Sequence, residues 1–242
     1  MEYAEFKARF GCAVAQNGIV GITSDQIRRF YEFNNYLLEI NQTTNLTAIR
    51  DLGDVIYKHD VDSLLALSYI PERARVLDLG CGPGFPSIPL AIARPDLSIV
   101  SLDSTAKKIA FVKSAVERLE LDNLVAVSGR AEDASIIRSL GEFDVVISRA
   151  VARMNILAEL CVPYVRIGGF FIALKGAKGG EELAEARDAL KKLGCADVIA
   201  NVRQLILANE TSESRCIAVS KKERPTPKGF PRSYAAILKK PL

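Results

Sequence analysis

Three glycines stand at alternate positions in a loop that follows a short apolar run. Gly80, Gly82 and Gly84 come directly after residues 76–79 (Val-Leu-Asp-Leu) and before the apolar segment 85–93. A turn of this kind brings bare backbone against a ligand, because glycine has no side chain to hold the ligand away. Dinucleotide sites have the longer spacing Gly-x-Gly-x-x-Gly, with a helix N-terminus facing a pyrophosphate, so the shorter form favours S-adenosylmethionine. A glycine-rich turn without a ligand is the alternative.

Acidic residues follow two further apolar runs. Asp103 ends the second run, about twenty residues beyond the loop, where a carboxylate in this topology accepts hydrogen bonds from ribose hydroxyls. Glu132 lies in residues 130–133 (Arg-Ala-Glu-Asp), after the third run, where a backbone amide and a carboxylate could bind the edge of an adenine. Each acidic residue could instead cap the helix that follows it.

Arg149 ends the fourth apolar run. Its permanent charge could hold a carboxylate or a phosphate, or it could form a surface ion pair. Residues 148–151 (Ser-Arg-Ala-Val) offer no nucleophile and no obvious base. We therefore expect an acceptor atom that is already nucleophilic at neutral pH, such as nitrogen 7 of guanine, so that catalysis depends on positioning more than on proton transfer.

His59 is the only histidine of the chain, and it lies beside Asp60 and Asp62. We interpret it as structural or substrate-orienting, since a lone histidine is more often hydrogen-bonded scaffolding than a catalyst. The five cysteines contain no Cys-x-x-Cys pair, which argues against a zinc site and against a disulfide framework. We expect no metal, and a reducing, cytoplasmic location.

The elements that must position these residues follow from the hydrophobic pattern. From residue 75 short apolar runs alternate with amphipathic segments, as in βαβ units around a parallel sheet. We predict an α/β, Rossmann-like fold of the class I methyltransferase type, with a seven-stranded, mostly parallel sheet and helices on both faces. The predicted strands are residues 75–79, 98–103, 124–128, 143–148, 169–175, 199–207 and 215–220, and the predicted helices are 105–119, 155–165 and 179–192.

The chain of 242 residues divides into three predicted parts. Residues 1–70 form a helical extension in which Thr23 and Gln26 have the spacing of a capping box, residues 71–222 form the methyltransferase core, and residues 223–242 form an arm. The chain contains no uncharged apolar run long enough to span a bilayer, so no membrane partner is expected.

The arm is rich in proline and basic residues, and we expect it to be extended, because proline cannot continue a helix or a central strand. Residues 221–242 contain seven basic residues and one acidic residue, which suggests a polyanion partner. A merely solvated tail is the alternative. The candidate RNA-binding residues are Lys228, Arg232, Lys239 and Lys240.

The sequence resembles the bacterial ribosomal small-subunit methyltransferase G family, also called glucose-inhibited division protein B. The matching stretches lie within about residues 40–176 and follow the family's order. They are residues 45–49, 59–64, 76–86, 89–92, 102–104, 147–150 and 173–176. The resemblance implies methyl transfer from S-adenosylmethionine to guanine nitrogen 7 of 16S ribosomal RNA, with S-adenosylhomocysteine as the product.

The resemblance also implies particular site residues. Cofactor contacts are expected at Gly80, Phe85, Asp103, Ser104, Thr105, Ala131, Glu132 and Arg149. Arg149, Lys175 and His59 are the candidates for positioning the substrate, and the sequence identifies no catalytic group. Ser87, where many members have glycine, and Cys216, often histidine in the family, depart from the pattern.

The expected partner is 16S ribosomal RNA or the small ribosomal subunit or its precursor, bound by a monomer. Two alternatives stay open. The chain could methylate another RNA base or a small molecule, because folds of this kind host many acceptors. It could also be a non-catalytic RNA-binding assembly factor.

Overall fold

A computed structural model describes residues 1–149 and 151–242. Ala150, which belongs to one of the stretches that carry the family resemblance, lies outside the described residues. The helices are α1 Tyr3–Gln16, α2 Ser24–Thr44, α3 Leu52–Val55, a π-helix at Ile56–Val61, α4 Asp62–Leu64, α5 Ser87–Ala93, α6 Ala106–Arg118, α7 Ala134–Leu140, α8 Met154–Cys161, α9 Gly179–Leu193 and α10 Tyr234–Lys239, with 3₁₀ turns at Leu67–Tyr69 and Val162–Tyr164. The strands are β1 Arg75–Leu79, β2 Ser98–Asp103, β3 Leu124–Ser128, β4 Phe143–Arg149, β5 Val165–Lys175, β6 Ile199–Ile206 and β7 Ser212–Lys221.

The described residues form one seven-stranded sheet in the order β3-β2-β1-β4-β5-β7-β6. The first five strands are parallel, while β7 pairs antiparallel with both β5 and β6. The order of the strands therefore reverses between β1 and β4. Open α/β sheets bind ligands at such a point, between the loops that follow the two strands. The predicted sheet is confirmed, with β5 and β7 longer than predicted.

The helices cover both faces of the sheet. On one face the N-terminal helices pack with α5 and α6, so that Phe6, Phe30 and Phe33 share a hydrophobic cluster with Ile88 and Val112. On the other face α8 and α9 pack over Leu77, Val146 and Phe171 in a second cluster. The extension is therefore joined to the sheet by a continuous apolar core, while the boundaries at residues 70 and 222 stay predictions.

The predicted capping box of α2 is present. The Thr23 hydroxyl accepts a hydrogen bond from the Gln26 backbone N–H at 3.2 Å, and the Gln26 side chain accepts one from the Thr23 N–H at 2.8 Å. The Gln26 amide also donates to the carbonyls of Ile92 and Ala93 at the end of α5. The Gln26 side chain thus completes the N-terminal cap of α2 and also attaches this helix to α5.

The expectation of an extended arm is wrong in one respect. Residues 234–239 form the short helix α10, whose Ile237 is fully buried. The prolines at 231 and 241 lie outside this helix, so they bound it rather than prevent it. Among the described helices none is long and apolar enough to cross a membrane.

Candidate functional site

A cavity of about 900 Å³ opens at the carboxyl edge of the parallel strands. Its volume lies within the range of about 300–1,000 Å³ that is typical of small-molecule sites. The lining comes from the loops after β1, β2, β3 and β4 and from the π-helix. Of the predicted site residues, the structure brings together around this cavity Gly80, Gly82, Phe85, Asp103, Ser104, Thr105, Ala131, Glu132, Arg149, Lys175 and His59.

The glycine loop supplies bare backbone to one wall. Gly80 has a φ of 75°, and a Cβ there would lie 2.4 Å from a methyl group of Val151. Gly82 has a φ of 55°, and no described heavy atom lies within 4 Å of where its Cβ would be. Gly82 therefore faces open cavity that a side chain would partly fill. Gly84 does not line the cavity. A Cβ added at Gly84 would lie 2.4 Å from the side chain of Ile88, so this glycine is needed for packing.

Asp103 is held at the end of β2 by backbone on two sides. Its Oδ2 accepts from the N–H of Gly82 at 2.9 Å, and its Oδ1 accepts from the N–H of Thr105 at 2.8 Å. Each carboxylate oxygen can accept a second hydrogen bond. The carboxylate is thus oriented by the protein while it keeps capacity to accept from the two hydroxyls of a ribose.

Arg149, the last residue of β4, is fixed by three partners. Its Nη1 donates to the Lys58 carbonyl and to Oδ2 of Asp62, both at 3.0 Å, and its Nη2 lies 3.0 Å from Nδ1 of His59. The guanidinium also lies 5.2 Å from the centre of the Phe85 ring. Since a guanidinium has five N–H groups, two of them have no partner among the described residues and are available to a ligand.

His59 is a neutral part of this arrangement. Arginine can only donate, so Nδ1 of His59 accepts, and Nε2 carries the proton that goes to the Thr47 hydroxyl at 2.8 Å. The ring stacks on Phe85 with centroids 4.3 Å apart. Burial, together with the charge of Arg149, lowers the pKa of His59 to about 3. At neutral pH the ring therefore orients Arg149 and provides no acidic proton.

A buried polar pair joins α2 to the π-helix. Asn34 of α2 donates from Nδ2 to Oδ2 of Asp60 at 2.5 Å, and both residues are fully buried. Burial raises the pKa of Asp60 well above its ordinary value. Because Asp60 follows His59 directly, this hydrogen bond attaches the N-terminal extension to the segment that carries the site.

Lys175 is not an exposed lysine of the kind that usually contacts RNA. It is largely buried, and its ammonium binds Oε2 of Glu182 at 2.9 Å and also the Ala152 carbonyl. One N–H of the ammonium is left for a ligand in the cavity. The role of Lys175 stays a prediction.

The two departures from the family pattern are both buried. Ser87 begins α5 and donates its backbone N–H to Oδ2 of Asp78 at 3.0 Å, under the glycine loop. Burial raises the pKa of Asp78 to about 7. Cys216 lies on β7 against Gly179, and burial raises the pKa of its thiol as well. Neither residue lines the cavity.

The four candidate RNA-binding residues differ in their exposure and in their partners. Lys228, Lys239 and Lys240 are exposed. Arg232 instead forms an ion pair with Glu159, whose side chain is fully buried. None of the four lines the cavity. They stay predictions, and the ion pair of Arg232 favours a structural contribution.

Several residues of the cavity were not among the candidates from sequence, and they include Asp62, Arg215 and Tyr234. Oδ1 of Asp62 accepts from Nε of Arg215 at 2.7 Å, while its Oδ2 binds Arg149, so one carboxylate holds two guanidinium groups. Arg215 directly precedes the apolar residues 216–219 of β7, and that position was the available signal for it. Nothing in the spacing of the sequence pointed to Tyr234.

The charge of the lining is mainly positive. Six basic side chains, those of Lys58, Lys108, Arg130, Arg149, Lys175 and Arg215, line the cavity together with three acidic ones, those of Asp62, Asp103 and Glu132. Within the described part of the chain, no group of three or more histidine, cysteine, aspartate or glutamate residues could hold a metal ion.

Solved methyltransferase structures share this fold. The O-methyltransferase from Bacillus cereus, determined in complex with S-adenosylhomocysteine, has a TM-score of 0.58 at 19% identity and covers 91% of this chain and 100% of that chain. A precorrin-6y C5,15-methyltransferase from Geobacter metallireducens has a TM-score of 0.53 at 16% identity and covers 68% of this chain and 88% of that chain. The described residues therefore have the Rossmann-like fold of class I methyltransferases.

Sequence comparison then gives the family. The model of the rRNA small subunit methyltransferase G family matches residues 26–205. The ribosomal RNA small subunit methyltransferase G of Brevibacillus brevis is 41% identical over 98% of this chain and 99% of its own length. The protein of that name from Lachnoclostridium phytofermentans is 43% identical over 91% of each chain. The chain belongs to this family, which confirms both the resemblance and the predicted S-adenosylmethionine-dependent methyltransferase class.

Proposed function

We propose that this protein transfers a methyl group from S-adenosylmethionine to nitrogen 7 of a guanine in 16S ribosomal RNA. Membership of the rRNA small subunit methyltransferase G family is the observation that favours small-subunit ribosomal RNA as the substrate. The mainly basic lining of the cavity supports it, because a polyanion is attracted to such a surface.

The residues around the cavity fit the methyl donor. Asp103 would accept hydrogen bonds from the ribose hydroxyls, and Gly80 and Gly82 would let the backbone approach the ligand. Glu132, with the backbone of Ala131, would bind the adenine edge. The available N–H groups of Arg149 would bind the carboxylate of the methionine part.

S-adenosylmethionine supplies an electrophilic methyl group on a sulfonium. Nitrogen 7 of guanine has a free lone pair at neutral pH, so this acceptor needs no base to remove a proton. The protein therefore contributes orientation and exclusion of water rather than proton transfer. The neutral His59 supports a role in orientation rather than in proton transfer, because it holds Arg149 in place and does not titrate near neutral pH.

The partner would be free 16S RNA, a precursor particle or the assembled small subunit, approached by a monomer in the cytoplasm. Two alternatives make different predictions. A methyltransferase for another base or for a small molecule would bind the donor but leave guanine unmodified. An assembly factor would bind the RNA without the donor.

Purified protein can be incubated with isotope-labelled S-adenosylmethionine and with 16S RNA, either free or in small subunits, taken from cells that lack the protein. We expect labelled 7-methylguanosine in digests of 16S RNA and none in 23S RNA treated in the same way. Label on another base would support the first alternative. RNA binding without any label, in free RNA and in subunits alike, would support the second.

A further inference from the structure

The helix α10 brings a tyrosine to the wall of the cavity. Tyr234, the first residue of α10, lines the cavity together with Leu160 of α8, and 36% of Tyr234 is exposed. One turn further along α10, Ile237 is fully buried in the same hydrophobic cluster as Leu160. The contact of α10 with α8 is thus a packed one, and the tyrosine ring stays beside the cavity.

The segment before α10 is anchored to a buried charge. Arg232 donates its backbone N–H and its Nε to Oε1 of Glu159, at 2.9 and 2.8 Å, and its Nη2 donates to Oε2 at 2.5 Å. Glu159 is fully buried and directly precedes Leu160. At the other end of the arm, the Leu242 carbonyl accepts from the Asn155 side chain at 3.3 Å. Both ends of α10 are therefore held against α8.

The position along α8 indicates which end of the cavity Tyr234 covers. Tyr164, in the 3₁₀ turn after α8, donates its hydroxyl to the Ala131 carbonyl at 2.7 Å. The carboxyl end of α8 therefore lies against the loop after β3, where the proposed adenine-binding residues Ala131 and Glu132 are found. Arg149 ends β4, which β2 and β1 separate from β3 in the sheet, and His59 on the π-helix contacts Arg149.

We propose that Tyr234 contacts the adenosine end of S-adenosylmethionine, and that the ion pair of Arg232 with Glu159 holds it there. The phenol ring covers the adenine with apolar surface, and aromatic contacts of this kind favour binding beyond the area they bury. The inference rests on the proposed placement of the donor in this cavity. It gives the C-terminal arm a role in donor binding that is separate from RNA binding.

Calorimetry on the purified full-length protein tests the inference with two ligands. S-adenosylhomocysteine contains both ends of the donor, whereas 5′-methylthioadenosine lacks the amino acid part. We expect Tyr234→Ala to raise the Kd of both ligands by a similar factor of roughly ten, corresponding to an aromatic contact of about 1.4 kcal/mol. Tyr234→Phe keeps the ring and is expected to bind within about a factor of two of the parent protein.

Leu238→Ala is the matched control, because Leu238 lies on the same helix, is 52% exposed and does not line the cavity. It should leave both Kd values unchanged, and equal urea midpoints would show that Tyr234→Ala is folded. An unchanged Kd for Tyr234→Ala, when Asp103→Ala weakens both ligands, overturns this inference alone. Unchanged values for both Tyr234→Ala and Asp103→Ala overturn the proposed placement of the donor as well. Weakening of S-adenosylhomocysteine only, by Tyr234→Ala, overturns the assignment to the adenosine end.

Discussion

At the carboxyl end of β2, Asp103 joins the glycine loop to the loop that leads into α6. Its two oxygens accept from the backbone of Gly82 and of Thr105, at 2.9 and 2.8 Å. The carboxylate is thus oriented before a ligand arrives, so that little of the binding free energy is spent on ordering it. This arrangement predicts that Asp103 contributes to donor affinity through both ribose hydroxyls.

Asp103→Ala should therefore weaken the binding of S-adenosylhomocysteine by about 1–3 kcal/mol, measured by calorimetry, because two hydrogen bonds to a charged group are lost. Asp122→Ala is the control, since Asp122 is exposed and does not line the cavity. Equal dissociation constants for Asp103→Ala and the parent protein would remove Asp103 from the proposed site.

The lowered pKa of His59 makes the stability of the fold depend on pH. Its folded pKa of about 3 lies below its ordinary value of 6.5, so the unfolded chain binds more protons between these two pH values. The stabilising contribution of neutral His59 is complete above pH 6.5 and is lost as the pH falls toward 3. In NMR spectra the ring signals of the folded protein should stay constant from about pH 8 to pH 5. A titration midpoint near 6.5 in the folded protein would contradict the account.

At the scale of elements, the π-helix connects the N-terminal extension to the site. Asn34 on α2 is the only described side chain that bonds the buried carboxyl of Asp60. The preceding residue, His59, faces Arg149 on β4. A contact in the extension therefore supports the position of a residue on the sheet.

Asn34→Ala should lower the free energy of unfolding by about 1–3 kcal/mol, measured by urea denaturation, because it leaves a buried carboxyl group without a partner. Asn35→Ala is a close control, since Asn35 is exposed and its side chain bonds the Tyr31 carbonyl of its own helix. We expect that control to stay within about 0.5 kcal/mol of the parent. Equal losses for the two variants would show that Asp60 does not depend on Asn34.

The strands and the glycine loop could be predicted because their signals are local. The run before Gly80 is apolar and short, and the residue types around the loop determine its turn. The contacts between distant residues could not be predicted in this way. Asp62 and Arg215 are 153 residues apart, and Arg232 and Glu159 are 73 apart, so that only the folded chain brings them together. For the same reason the helical segment at residues 234–239, which depends on the burial of Ile237, was missed.

At the scale of the whole molecule, the basic C-terminal segment has two kinds of residue. Lys222 is buried and donates to the carbonyls of Val162 and Val165, and Arg232 is paired with Glu159. Lys228, Lys239 and Lys240 remain exposed. Exposed lysines such as these are suited to contact phosphates, while Lys222 and Arg232 hold the segment to the core.

Replacing Lys228, Lys239 and Lys240 together with glutamine should weaken RNA binding and reduce the slope of log K against log salt by about 2, because fewer counterions are released. The affinity for S-adenosylhomocysteine should not change, since these lysines do not line the cavity. Filter binding over a series of salt concentrations gives the slope. A slope equal to that of the parent protein would show that these lysines do not contact the phosphate backbone.

Methyl transfer to guanine nitrogen 7 in 16S RNA can be measured in cells. Ribosomal RNA from cells with the protein, from cells without it, and from the latter supplied with the parent chain or with Asp103→Ala is digested and mapped by mass spectrometry. We expect one 7-methylguanosine of 16S RNA to disappear on deletion, to return with the parent chain and to return weakly or not at all with Asp103→Ala. Unchanged 7-methylguanosine in 16S RNA after deletion would contradict this expectation.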